Sequence, residues 1–141
     1  MKKILFVCHG NICRSPMAEY ILKNMTDNKY EIASRATSNE EIGNDIYPYA
    51  KEILDKYRIP YGRHYAKRMT IEDYNYYDYI VAFDDYNVSN IKRMVNDDKK
   101  IIKITPEGVD DPWYTRDFER AYKDINKGCL DLYERLKKEE K

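Results

Sequence analysis

The sequence carries no excess of charge of either sign. Its 25 basic and 25 acidic side chains cancel to a formal net charge of zero. That excludes a broad electrostatic pull toward nucleic acid or an anionic membrane, so any anion-binding ability must be local. Cysteine is scarce: three residues form an odd set, which argues against a disulfide framework. Long apolar runs are missing. Ile4–Val7 is too short for a signal peptide or a membrane span, and Cys8 follows at once. There is no internal repeat, low-complexity tract or long linker. Together these absences predict a cytoplasmic protein with reduced thiols and no nucleic-acid or membrane partner.

What is present suits one folded unit. A chain of 141 residues with 43% hydrophobic side chains is expected to form one domain over 1–141 and to bury a core without staples. The 15 tyrosines are read mainly as amphipathic packing. The pattern alternates strands and helices. Lys3–Val7 is a continuous apolar run, which suits a strand covered on both faces. Residues 8–14 are a tight loop. Ser15 fits the N-cap and Pro16 the first position of a helix ending near Asn28. Tyr30–Ser34 reads as a second strand, and Asp45 as the cap of a helix to about Tyr57. A short helix begins at Thr70. Tyr79–Phe83 and Ile101–Ile104 are further strands flanking a helix at Asn87–Val95. Thr105–Thr115 reads as a loop and Asp117–Lys138 as a long closing helix. This alternation implies right-handed βαβ units and a parallel sheet, whose ligands bind at the carboxyl ends of the strands. The loops at 8–14 and 105–115 both follow strands and are expected to face one crevice.

The chemistry is concentrated in Cys8-His9-Gly10-Asn11-Ile12-Cys13-Arg14-Ser15-Pro16. Five residues separate Cys8 from Arg14. That spacing alone is weak, but its placement between a buried strand and a helix start is specific. Loop N–H groups and the helix N-terminus then converge on one anion site. Gly10 removes a side chain where the backbone must curl. Arg14 can fork two hydrogen bonds onto phosphate oxygens. The same surroundings favour a thiolate on Cys8 over the thiol, and Ser15 can donate its hydroxyl to that sulfur. Displacing a phosphate ester also needs an acid for the leaving group and then a base for water. Asp110 and Asp111, before Pro112-Trp113-Tyr114, are equal choices on the residues alone.

At this point the sequence resembles the low-molecular-weight protein tyrosine phosphatase family over nearly its whole length. Cys8–Pro16 with Met17-Ala18-Glu19 is very like the family's signature, and Asp111-Pro112-Trp113-Tyr114 matches its acid loop. The resemblance selects Asp111 over Asp110 as the acid. It implies a metal-free, cofactor-free phosphatase acting on phosphotyrosine-containing proteins through a cysteinyl-phosphate on Cys8. It implies a flavodoxin-like four-stranded parallel sheet in the order 2-1-3-4 with helices on both faces. Residues 9–15 would bind phosphate, and Asn11, Ser15, Ser34 and His64 would support the loop. His9, Ile12, Glu40, Trp113 and Tyr114 would form the pocket rim. Asn11 is expected to hold a left-handed turn. Arg35, His9 and Glu40 depart from the family pattern; Glu40 falls where many relatives place an aromatic wall.

Three rival readings share parts of this pattern. A protein arginine phosphatase branch has the same loop with Thr at the position of Ile12, so Ile12 favours a phenyl ring. An arsenate reductase needs a relay of cysteines, and Cys129 lies alone on the last helix. A catalytically dead phosphopeptide binder would lack the cysteine or the acid. Cys13, near Cys8 in the loop, is a candidate resolving thiol for an oxidised Cys8.

Overall fold

β1 (Lys3–Cys8) runs through the middle of a parallel sheet, and its side chains alternate between two buried clusters. Ile4, Phe6 and Cys8 join one cluster, and Leu5 and Val7 join the other. Burial on both faces explains why the stretch reads as an unbroken apolar run. The structure is a computed structural model and describes residues 2–140. β2 (Glu31–Ala36), β3 (Tyr79–Ala82) and β4 (Ile101–Lys103) complete the sheet. All pairings are parallel and the order is β2-β1-β3-β4, the expected 2-1-3-4.

The helices divide between the two faces. α1 (Arg14–Met25), α2 (Pro48–Lys56) and α6 (Phe118–Glu139) cover one face through Met17, Ile21, Leu54, Ile125 and Leu132. α3 (Ile71–Tyr76) and α4 (Asp85–Val95) cover the other through Tyr74 and Ile91. α5 (Pro112–Thr115) is a single turn on the way into α6. Side chains buried as fully as Phe6, Leu5 and Ile125 each contribute about 1.5–3 kcal/mol relative to exposure. α6 lies very close to β4 at Gly128. A Cβ there would stand 2.5 Å from Ile104 Cγ1 and 2.8 Å from the Ile104 carbonyl oxygen.

Several boundaries differ from the sequence reading, each for a physical reason. α1 begins at Arg14 with Cys13 at its N-cap, and no side chain caps it. Ser15 is therefore inside the first turn, because its hydroxyl faces Cys8 instead. Pro16 is the third helical residue, still within the turn whose N–H groups lack intrahelical partners. α1 stops at Met25, since Asp27 and Asn28 take positive φ of 54° and 59°. Asp45 does not cap α2. Tyr47 is the N-cap and Pro48 the first residue, while the Asp45 carboxylate accepts from the Ile46 and His64 amides and pairs with Lys51 and Arg63. The segment 105–115 is not all loop, because Pro112–Thr115 forms α5. Elsewhere the caps follow their chemistry. Thr70 and Asp73 form a capping box, Asp84 accepts from the Asn87 amide, and Asp117 accepts from the Arg120 amide.

Candidate active site

β1 ends at Cys8, the chain turns through residues 9–13, and α1 starts behind it. Asn11 makes the turn with φ 62°, a left-handed conformation that Asn tolerates better than most residues. Gly10 does not have positive φ. A Cβ at Gly10 would sit 3.4 Å from Glu41 Cγ, so the conformational demand falls on Asn11. The uncapped first turn of α1 leaves its N–H groups and positive dipole end directed at the loop.

Asn11 is held from four sides. Its amide nitrogen donates to Ser15 Oγ at 2.8 Å and to Ser34 Oγ at 3.0 Å. Its side-chain oxygen accepts from the Lys67 amide at 3.1 Å. Its carbonyl faces His64 Nε2 at 2.6 Å, and because a carbonyl only accepts, Nε2 carries the proton. Burial pushes the His64 ring below its ordinary value, against the Asn11 bond and the Glu19 and Asp45 charges. Ser34 in turn donates to Glu19 Oε1 at 2.6 Å, and Glu19 Oε2 accepts from Lys23 at 2.6 Å. Cys8 Sγ lies 3.0 Å from Ser15 Oγ. Since Ser15 already accepts from Asn11, its proton is free to be donated to a thiolate.

Arg14 is buried, and its guanidinium is fixed by three oxygens. NH1 donates to Asp84 Oδ2 at 2.7 Å and to the Val109 carbonyl at 2.8 Å. NH2 donates to Asp111 Oδ2 at 3.4 Å. Burial opposes the charge, but Cys8, Asp111 and Asp84 outweigh it and hold the guanidinium above its usual value. Asp111 also caps α5, accepting from the Trp113 amide at 3.0 Å. Asp111 lines the pocket, whereas Asp110 is exposed and does not.

The pocket gathers Cys8 through Arg14 with Asp111, Trp113 and Tyr114. Ile12 is buried and also faces the pocket, so it serves both packing and lining. His9 and Glu40 meet at the rim, with His9 Nε2 2.9 Å from Glu40 Oε2. Ser34, His64 and Ser15 stand behind the loop and do not line the pocket. Arg35 points away, to Asp73 on α3 at 3.2 Å. The roles of four groups escaped the sequence reading: Asp84, Glu19, Glu41 and the Val109 carbonyl. Asp84 follows β3, so the rule that ligands gather at strand carboxyl ends could have found it. Among the described residues, no group of three or more His, Cys, Asp or Glu is gathered to hold a metal ion. No described helix is long and apolar enough to cross a membrane.

The family model for low molecular weight phosphotyrosine protein phosphatase matches residues 3–141. The chain belongs to that family. The chicken low molecular weight phosphotyrosine protein phosphatase is 34% identical, with 96% of each chain covered. Among solved structures, the family's enzyme from Streptococcus pyogenes superposes with a TM-score of 0.93 at 47% identity, covering 96% of this chain and 93% of that one. A Drosophila arginine phosphatase superposes with a TM-score of 0.89 at 25% identity, covering 96% of this chain and 98% of that one. Phosphotyrosine phosphatases of this family are metal-independent hydrolases. Here the family's fold brings a cysteine, an arginine and an aspartate into one pocket from β1, α1 and the segment before α5.

Proposed function

We propose that this chain hydrolyses phosphotyrosine in proteins, with Cys8 as nucleophile, Arg14 as phosphate clamp and Asp111 as acid and then base. The observation that carries the assignment is the meeting of Arg14 with Asp111 at 3.4 Å in the pocket that Cys8 lines. The Cys8 thiolate attacks phosphorus and the bond to the phenolic oxygen breaks. Asp111 gives its proton to that oxygen, and tyrosine leaves. Asp111, now a carboxylate, takes a proton from water, whose oxygen attacks the phosphocysteine. The sulfur–phosphorus bond breaks, inorganic phosphate leaves, and Ser15 donates its hydroxyl to the restored thiolate. Loop N–H groups and Arg14 supply the charge stabilisation that a metal would otherwise provide. Asn11, Ser15, Ser34 and His64 act as positioning residues. His9, Ile12, Glu40, Trp113 and Tyr114 form the substrate rim.

Phosphotyrosine is favoured over phosphoarginine because Ile12 presents a hydrocarbon branch to the pocket and two aromatics flank it. The arsenate-reductase reading is disfavoured by Cys129, which is fully buried with its thiol pushed up by burial. Because the nucleophile must be a reduced thiol, a cytoplasmic location suits the reaction, and the whole chain is read as one domain. Acid quenching during turnover of a phosphotyrosine peptide is expected to trap phosphate on Cys8, detectable by mass spectrometry. Phosphate on another residue would refute the nucleophile. Faster hydrolysis of a matched phosphoarginine peptide would refute the substrate class.

A further inference from the structure

A second cleft adjoins the active-site pocket and shares His9 with it. Thr37, Arg68, Tyr86, Asn90 and Arg93 form most of its wall. Its charge is opposite to that of the pocket rim. Around the buried Arg14 the active-site pocket carries Glu40, Glu41 and Asp111, whereas two arginines and no carboxylate line the second cleft. In a chain of zero formal charge, that separation is local and sharp.

The two arginines are not consumed by the fold. Arg14, Arg35, Arg63, Arg120 and Arg135 each pair with a carboxylate; among the described residues Arg58, Arg68, Arg93 and Arg116 do not, and of these four only Arg68 and Arg93 line this cleft. Arg68 donates Nε to the Thr37 carbonyl at 3.4 Å, and Arg93 donates NH1 to Asn90 Oδ1 at 3.0 Å. A guanidinium has five N–H donors, so most of theirs stay free to fork onto an oxyanion. The buried Thr37 hydroxyl makes no hydrogen bond within the described structure. The cleft is also tied to the chemistry. Tyr86, Asn90 and Arg93 lie at helical spacing on one face of α4, whose cap Asp84 binds Arg14. The Thr37 amide donates to the Cys8 carbonyl at 2.9 Å.

We propose that this cleft is an anion subsite that receives an acidic side chain, a carboxylate or a second phosphate, lying close in sequence to the phosphotyrosine being hydrolysed. The two clefts share His9, and an extended peptide advances about 3.3–3.6 Å per residue, so the anion is expected within a few residues of the phosphotyrosine. The inference rests on the phosphatase reading of the neighbouring pocket.

The test compares four phosphotyrosine peptides, flanked by Ala, Lys, Glu or phosphoserine, at low and high salt. The wild type is expected to show about tenfold higher kcat/KM for the anionic peptides than for the Ala peptide, with the gap shrinking as salt rises. The Arg68→Gln/Arg93→Gln variant is expected to lose that preference while hydrolysing a small aryl phosphate at the wild-type rate. A gain for Glu and phosphoserine alike assigns the site to any oxyanion, and a gain for one alone assigns it to that group. No preference in the wild type, or a preference that survives in the double variant, overturns the proposal. Binding of the same peptides to Cys8→Ser separates the two readings. Arginine-dependent anion preference in binding, without hydrolysis by the wild type, would keep the subsite and discard the phosphatase.

Discussion

Arg14 and Asp84 are joined at 2.7 Å, and the other carboxylate oxygen of Asp84 accepts the Asn87 amide at the start of α4. One side chain thus orients the phosphate clamp and caps a helix. The two roles separate by substitution. Asp84→Asn keeps a good N-cap but loses the charge on the guanidinium. Its kcat/KM for phosphotyrosine is expected to fall about tenfold with thermal stability nearly unchanged. Asp84→Ala is expected to lose the same activity and about 1 kcal/mol of stability in addition. Unaltered kinetics for Asp84→Asn would mean that the Val109 carbonyl and Asp111 suffice to align Arg14.

Asp111→Asn removes the proton donor. Hydrolysis of tyrosyl phosphate is expected to slow by roughly 10²–10⁴-fold. An ester with a very good leaving group needs no proton and is expected to lose far less in the cysteine-phosphorylation step, read from its burst. Asp110→Asn is expected to change neither. Equal losses on both esters would argue against an acid at Asp111.

Asn11→Ala combines two costs. Alanine is strained at φ 62°, and the buried Ser15 and Ser34 hydroxyl oxygens and the part-buried Lys67 amide each lose the bond to Asn11. Left-handed strain of about 1–2 kcal/mol plus about 1–3 kcal/mol for an unpaired buried group predicts a large destabilisation, readable by denaturant unfolding. Ser15→Ala keeps the turn and is expected to cost less stability, while slowing breakdown of the phosphocysteine. A stable Asn11→Ala enzyme would show that the network is dispensable.

His64 sets a pH window. Its folded ring ionises below its ordinary value of 6.5, so the unfolded chain binds more protons between the two values. The His64 contribution is fully present above about pH 6.5 and is lost as pH falls through 6.5 toward the folded value. Stability is therefore expected to rise with pH in that interval and to level above it. His64→Gln, which can still donate to the Asn11 carbonyl, is expected to flatten the slope. An unchanged slope would place the titration elsewhere.

Redox behaviour follows from Cys8 and Cys13 at the two ends of one loop. Peroxide is expected to convert Cys8 to a sulfenic acid, and Cys13 then to condense with it, releasing water and forming a disulfide. Burial, with Cys8 and Asp111 nearby, pushes the Cys13 thiol up, so this condensation is expected to be slow. A dithiol is expected to restore the wild type fully and Cys13→Ser only in part. A peroxide-induced link to Cys129 would refute the pairing.

The parts of the site that lie together in the chain were readable before the structure. Cys8, Asn11, Arg14 and Ser15 lie within eight consecutive residues, from the end of β1 to the first turn of α1, and their chemistry depends on a spacing countable in the sequence. The roles of Glu19 and the Val109 carbonyl were not readable, because each acts on the loop only after the sheet has formed. Asp84 stands just after β3, where only the rule that ligands gather at strand carboxyl ends points to it. Glu19 belongs to the signature segment, but no spacing in the chain shows that it accepts from Ser34 across α1 and β2. The strand order needed the family resemblance, since alternation of strands and helices permits more than one order. Helix starts failed where polar side chains had other employment: Ser15 serves Cys8, and Asp45 serves Lys51, Arg63 and the His64 amide.

Gly128 has a consequence at the far end of its helix. The missing methyl lets α6 seat in a notch against Ile104, and no neighbouring residue of α6 could enter without displacing that backbone. The segment bearing Asp111 runs straight into α6, so sliding the helix by one turn would drag that segment by about 5.4 Å. The notch therefore works as a locating pin. A side chain at that position is expected to push α6 off Ile104 and to carry with it the segment that holds Asp111.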